Sequence, residues 1–357
     1  MKEWIQAIGS GQSPLRNLTY EEAVQAAGVM ASGESTDAQC AAFLIALCMK
    51  GEVHEELAAF VDVFRSHAKR YQAFKDSLVC AGPSEGRHSL PLTLPVSLLL
   101  ASVGFPQVLQ GGDALPPKQG ISMTTMLESF GVELDLPTKA WETILFHTHI
   151  GFIRTEHLCP PMGRLKQVRE QIGLRTIMNT VEQVLNPVSA SNAIIGVHQK
   201  KGMEALVPIS VRSGFQNSYL IQGIDGSEDL PISQNSVIRI VTPWGDESLL
   251  IEPQKFGFQS APLIPLELEE QLVILQRIIA GDDSPELKRE RDHIIFNAGL
   301  RLKWFDKVGS YEEGFQLADS LLRRREAQKV LTRWVEQTNR YKDFLHRKDE
   351  SSSEQTG

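Results

Sequence analysis

Between residues 1 and 72 the apolar positions recur at helical spacing; beyond them, short apolar runs alternate with helical stretches. Thr19-Tyr20-Glu21-Glu22 has the form of a capping box, with Leu18 placed to staple onto Ala23, and Thr36-Asp37-Ala38-Gln39 repeats the box. The second box opens an apolar helix through Phe43, Leu44 and Leu47 that should stop at Gly51. A third helix is expected over about 55–68, with Leu57, Phe60, Val61 and Phe64 on one face. Candidate strands at 77–80, 107–109, 151–153, 194–197 and 219–222 have helical patterns between them, which predicts a mainly parallel sheet covered by helices. The runs 237–241 and 248–251 flank Pro243-Trp244-Gly245-Asp246 and read as an antiparallel hairpin. Helical patterns return at 267–280 and from 286 onward, and residues 346–357 read as a disordered tail. The expected fold class is α/β: a small all-α domain over 1–72, then a larger α/β domain over 73–345.

Composition narrows the classes of function. A net charge of −8 and a pI near 5.7 argue against a chain built as a whole for nucleic acid or an anionic membrane, and leave room for local basic patches. Met1-Lys2-Glu3-Trp4 leads into a mixed segment with no signal peptide, and the apolar run over 92–103 is interrupted by Pro95, Ser97 and Ser102, too short to span a bilayer. Cys40, Cys48, Cys80 and Cys159 have no CxxC spacing and read as reduced, mostly buried thiols of a cytoplasmic protein.

The chemistry concentrates between Leu78 and Gly131, where a strand–loop–helix–strand–loop order is the arrangement that places anions at strand ends and helix N-termini. Arg87 and His88 supply cationic donors beside Gly82-Pro83-Ser84-Glu85-Gly86, and Lys118 in the second loop could face the same cleft; the alternative is a turn with solvated charges. His147, His149 and His157 read as loop or packing histidines rather than a metal set. Asp225, Glu228 and Asp229 form the better cation candidate, for magnesium held largely through water and phosphate, or a bare acidic loop. Between Arg323 and Lys348 stand nine Lys or Arg against three Asp or Glu. Arg325, Lys329 and Arg333 follow i, i+4, i+8, either as the solvated face of a docked helix or as contacts to a nucleic-acid backbone.

Residues 17–65, 168–198 and 294–313 resemble the matching stretches of anthranilate phosphoribosyltransferases. That resemblance implies a helical domain joined in space by helices around 165–184, a cleft between it and the α/β domain, and a homodimer. It also implies transfer of a phosphoribosyl group from phosphoribosyl diphosphate to anthranilate, in tryptophan biosynthesis, with magnesium and glycine-loop N–H groups holding the diphosphate. The family's Gly-Thr-Gly-Gly-Asp-Gly loop falls on Ala81-Gly82-Pro83-Ser84-Glu85-Gly86, where Pro83 has no N–H to give. Its Asn-x-Ser-Thr group keeps only Thr93, and its Lys-His-Gly-Asn turn falls on Gln110-Gly111-Gly112-Asp113. By this match Gly82, Ser84, Glu85, Arg87, Thr93, Gly111, Asp113 and Lys118 would line the donor side, Arg169 and Cys159 the acceptor side, and Glu228 and Asp229 the metal. Each hydrogen bond lost to a charged ligand is worth about 1.5–3 kcal/mol, so the ordinary anthranilate reaction is expected to be altered or lost. A divergent branch of the family with GPxxGR in this place is associated with nucleic-acid binding and absent transferase activity. The alternative function is therefore a non-catalytic nucleic-acid-binding protein on the same fold.

Overall fold

The computed structural model describes residues 1–9, 15–117, 120–198 and 200–354. Helices Lys2–Gly9, Tyr20–Ser32, Asp37–Lys50 and His54–Ser66 pack as a bundle. Both expected capping boxes form: Thr19 accepts from the Glu22 N–H while Glu22 accepts from the Thr19 N–H, and Thr36 and Gln39 do the same. Phe43, Phe60 and Phe64 stack through the bundle centre, with ring centroids 5.9 and 6.2 Å apart. Helices Lys166–Ile172 and Ile177–Gln183 pack against the bundle, so chain from the middle of the sequence completes it.

The α/β part is built on one seven-stranded sheet: β1 (Leu78–Ala81), β2 (Gln107–Gly111), β3 (Ile150–Arg154), β4 (Asn192–Gly196), β5 (Asn217–Ile221), β6 (Ser236–Thr242) and β7 (Gly245–Ile251). The spatial order is β3-β2-β1-β4-β5-β6-β7, parallel from β3 to β5, with β6 and β7 forming the expected antiparallel hairpin. Every residue of β1 and β4 is buried, as strands covered on both faces require. The order runs outward in opposite directions from β1 and β4, so the crevice beyond their C-terminal ends is a topological switch point.

One difference concerns the chain end. The last helix, Glu326–Glu354, runs through residues that the sequence reading assigns to a disordered tail. No glycine or proline interrupts 326–354, so nothing in the backbone stops the helix there. Among the described residues no helix is long and apolar enough to cross a membrane.

Candidate ligand-binding site

β1 delivers the chain to the switch point, where Pro83–Gly86 close a turn through the Gly86 N–H and the Pro83 carbonyl at 3.1 Å. Gly86 has φ 78°, and a Cβ there would lie 2.4 Å from the Gly120 carbonyl oxygen, so the turn and the second loop approach too closely for any other residue. The backbones of Arg87 and Ile121 exchange both hydrogen bonds, at 3.0 and 2.7 Å, tying the two loops together.

Glu85 points inward and is 1% exposed. Arg175 donates to it at 2.5 Å, Asn179 at 3.2 Å, and the His198 ring nitrogen lies 3.4 Å away. Burial alone would raise its pKa, but the hydrogen bond with His198 and the Arg175 charge outweigh it and hold the carboxyl down at about 2. Ser84 accepts from Asn179 at 2.7 Å. This polar knot borders a cleft of about 390 Å³ between the bundle and the segment that follows β4, whose helix Lys200–Arg212 contributes Gly202, Ala205 and Leu206. Cys48 and Glu52 line it from the bundle, Arg175, Thr180 and Gln183 from the crossing helix segment, and His198 from the end of β4. Arg175 and His198 keep 31% and 25% of their side chains exposed, so each offers polar atoms to a ligand while anchored on Glu85.

Beside this knot lies a second, fully internal one. Arg87 is expected to face the donor; instead it is 4% exposed and turned into the protein. It donates to Asp229, to Glu228 at 3.0 Å and to Thr93 at 2.7 Å. Arg301, with no exposure, reaches the other Asp229 oxygen at 2.9 Å, and Thr93 donates its N–H to Asp229 at 3.1 Å and its hydroxyl to Glu228. Burial alone would lower the Arg87 pKa, but Asp229 and Glu228 raise it, so the guanidinium stays charged. Magnesium, expected at Glu228 and Asp229, does not fit this arrangement: all four carboxylate oxygens already accept hydrogen bonds from protein donors. Asp225 is likewise committed, accepting from the Ser89 N–H at 2.9 Å and its hydroxyl at 2.6 Å. Among the described residues no group of three or more His, Cys, Asp or Glu is placed to hold a metal ion.

The remaining expected residues are spread around these knots. Asp113 is not an unpaired anion: Lys166 at 2.5 Å and Arg154 at 3.1 Å neutralise it and lower its pKa, the Lys166 hydrogen bond contributing most. Gly111 ends β2 beside it, and Lys118 lies outside the described residues. Arg169, placed on the acceptor side by resemblance, is buried and consumed by Glu182 at 3.1 Å. Cys159 is buried without exposure in the core, where its thiol meets the Phe64 carbonyl and burial pushes its pKa up to about 11. Neither lines the cleft. His147 bonds the Thr143 carbonyl, His149 caps its helix against the Phe74 ring, and His157 lies 3.7 Å from Asp135, as packing and loop histidines do. Lys329 and Arg333 are exposed on the outward side of the last helix, opposite buried Ala327, Leu331 and Trp334. Arg325, also exposed, lies in the turn before that helix with φ 60°, so the expected helical spacing holds only from Lys329 to Arg333.

The residues that sequence reading passed over are His198, Arg301 and the cleft-facing role of Arg175. Arg301 had a signal, a lone charge inside the apolar run Ala298-Gly299-Leu300-Arg301-Leu302. His198 had none beyond its place after a strand.

Residues 2–68 match the model of the glycosyl transferase family helical bundle domain, and residues 80–328 that of the glycosyl transferase family a/b domain. The anthranilate phosphoribosyltransferase of Symbiobacterium thermophilum is 28% identical over 345 residues, covering 95% of this chain and 98% of that protein. That of Geobacter sp. (strain M21) is 26% identical over 343 residues, covering 91% and 96%. The solved anthranilate phosphoribosyltransferase of Thermus thermophilus superposes with a TM-score of 0.79 at 24% identity, covering 95% of this chain and all of that one. The Saccharomyces cerevisiae enzyme, solved in complex with PRPP and Mg, gives 0.81 at 16% identity, covering 95% and 97%. With its helical bundle and its α/β part both matched, the chain belongs to the glycosyl transferase family, and within it to the anthranilate phosphoribosyltransferase type.

Proposed function

We propose that this protein takes a small phosphorylated ligand, a phosphoribosyl donor by kinship, in the cleft at the switch point, and that its transfer chemistry departs from the ordinary anthranilate reaction. One observation carries the reading. Arg175 and His198 converge on buried Glu85 at the β1 and β4 ends while staying open to the cleft, which is how an oriented anion site is built. The departure rests on Pro83, which gives no N–H, on Arg87 turned inward, and on Arg169 paired off by Glu182. Calorimetry with phosphoribosyl diphosphate tests the ligand, with heat of binding expected; no heat at millimolar donor sinks that part. A product assay with anthranilate tests the chemistry, and rapid formation of phosphoribosylanthranilate would overturn the departure.

A second reading has its own observation. Exposed Arg325, in the turn before the last helix, and exposed Lys329 and Arg333 on that helix make a basic row. Among the described residues Arg325 and Arg333 carry no ion pair, whereas Lys329 meets Glu326 at 2.9 Å. Such a row supports contact with a nucleic-acid backbone by charge alone.

A further inference from the structure

We propose that the Glu228–Asp229 pair is a guanidinium clasp that excludes divalent cations, so that a ligand in the neighbouring cleft binds without magnesium. The proposal deepens the cleft reading and depends on it only for the ligand. The state of the two carboxylates stands on its own geometry.

The charge balance is the first argument. Glu228 and Asp229 are 0% and 1% exposed and face two guanidinium groups, Arg87 and Arg301, which are 4% and 0% exposed. The four charges cancel. A divalent cation added to them would leave two positive charges in excess inside the protein, a placement that burial penalises heavily.

Room is the second argument. Magnesium keeps near-octahedral oxygens at about 2.0–2.1 Å and usually retains several waters, so it needs both free lone pairs and space. Here the carboxylates accept from Arg87, Arg301, the Thr93 N–H and the Thr93 hydroxyl, all hydrogen donors whose polarity repels a cation.

Anchoring is the third. The Arg87 backbone is fixed by its pair of hydrogen bonds to Ile121. Its side chain, 4% exposed, is held by Asp229, Glu228 and Thr93 rather than free to swing as a surface side chain would be. A Cβ on Gly120 would lie 2.0 Å from the Arg87 carbonyl carbon and oxygen, so the second loop is pressed against this residue. Ser89, two positions on, is fixed to Asp225 of the acidic loop. The clasp therefore locks the anion loop onto the acidic loop, a task that an exchangeable ion would otherwise have.

Manganese serves as the probe, counted by electron paramagnetic resonance on the full chain. The wild-type protein is expected to hold no ion at this pair, whereas Arg87→Ala, with a carboxylate uncovered and a guanidinium-sized space opened, binds one with at least about tenfold higher affinity. Adding Asp229→Asn to that variant should abolish the gain. Manganese should raise the melting temperature of Arg87→Ala and leave that of the wild type unchanged. One tight ion on the wild-type chain, lost in Asp229→Asn, would overturn the proposal, as would a folded Arg87→Ala that binds no better than wild type. Should Arg87→Ala fail to fold even with manganese present, the wild-type and Asp229→Asn titrations decide by themselves. Titrating pyrophosphate with and without magnesium then reads the second half: equal affinity supports it, and a gain of about tenfold or more with magnesium refutes it. If pyrophosphate does not bind at all, the cleft reading falls, while the manganese result still judges the clasp.

Discussion

A carboxylate with 1% exposure persists at position 85 because Arg175, Asn179 and His198 converge on it. Its pKa in the folded protein, about 2, lies below the ordinary 4.5. Ionised Glu85 therefore contributes stability that is fully present above pH about 4.5 and drains away as pH falls through about 2. Glu85→Gln keeps the shape and removes the charge. At neutral pH the substitution is expected to cost on the order of 2–3 kcal/mol, since it leaves Arg175 and His198 facing a neutral amide. Near pH 2 the gap between the two proteins should largely close. Denaturant melts at both pH values measure this, and an unchanged gap would show that the charge at Glu85 does not support the fold.

At the scale of elements, what was legible in the sequence was what adjacent residues decide. Thr19 and Thr36 find their partners three residues along, and the apolar runs of β1 to β5 mark themselves because both sheet faces are covered. The site was legible only in its location. Arg87 and Asp229 are 142 positions apart, and Asp229 and Arg301 are 72 apart, so no local pattern announces that they meet. The residue types at the acidic loop suit a metal equally well; only the third dimension shows arginine there instead. The last helix is the intermediate case. Its amphipathic spacing is plain, with Val330, Leu331 and Trp334 buried and the basic row outside. Whether that row touches nucleic acid is a question for salt. If it does, replacing Arg325, Lys329 and Arg333 by Ala should weaken single-stranded DNA binding and lower the salt slope by about 2, at roughly 0.7 per cation lost. An unaltered slope would assign the row to solvent.

Over the whole molecule, the helical bundle and the α/β part are two matched family domains, yet they do not own two cores. One continuous apolar cluster takes Phe43, Phe60 and Phe64 from the bundle together with Val79, Val108, Ala193, Ile195 and Leu220 from the strands. The other sheet face carries a separate cluster beneath the last helices, with Leu98, Phe296 and Trp334 at its centre. The bundle is also tied across the cleft by polar contacts: Arg212 pairs with Asp62 beside Tyr20, and Arg65 donates to the Arg212 carbonyl at 2.9 Å. Those ties are partly exposed and are each worth no more than about 1 kcal/mol. The shared apolar cluster is the stronger bond, because separating the bundle would bare the sheet face it covers, at about 25 cal/mol per Å². Residues 1–72 should therefore not unfold alone. Scanning calorimetry is expected to give one transition with equal calorimetric and van't Hoff enthalpies. Phe60→Ala, which opens a cavity in the bundle at a cost of about 3–5 kcal/mol, should move that single transition as a whole. A low-temperature shoulder that shifts with Phe60→Ala while the main peak stays in place would show instead that the bundle melts by itself, and that the cleft is a seam between independent bodies.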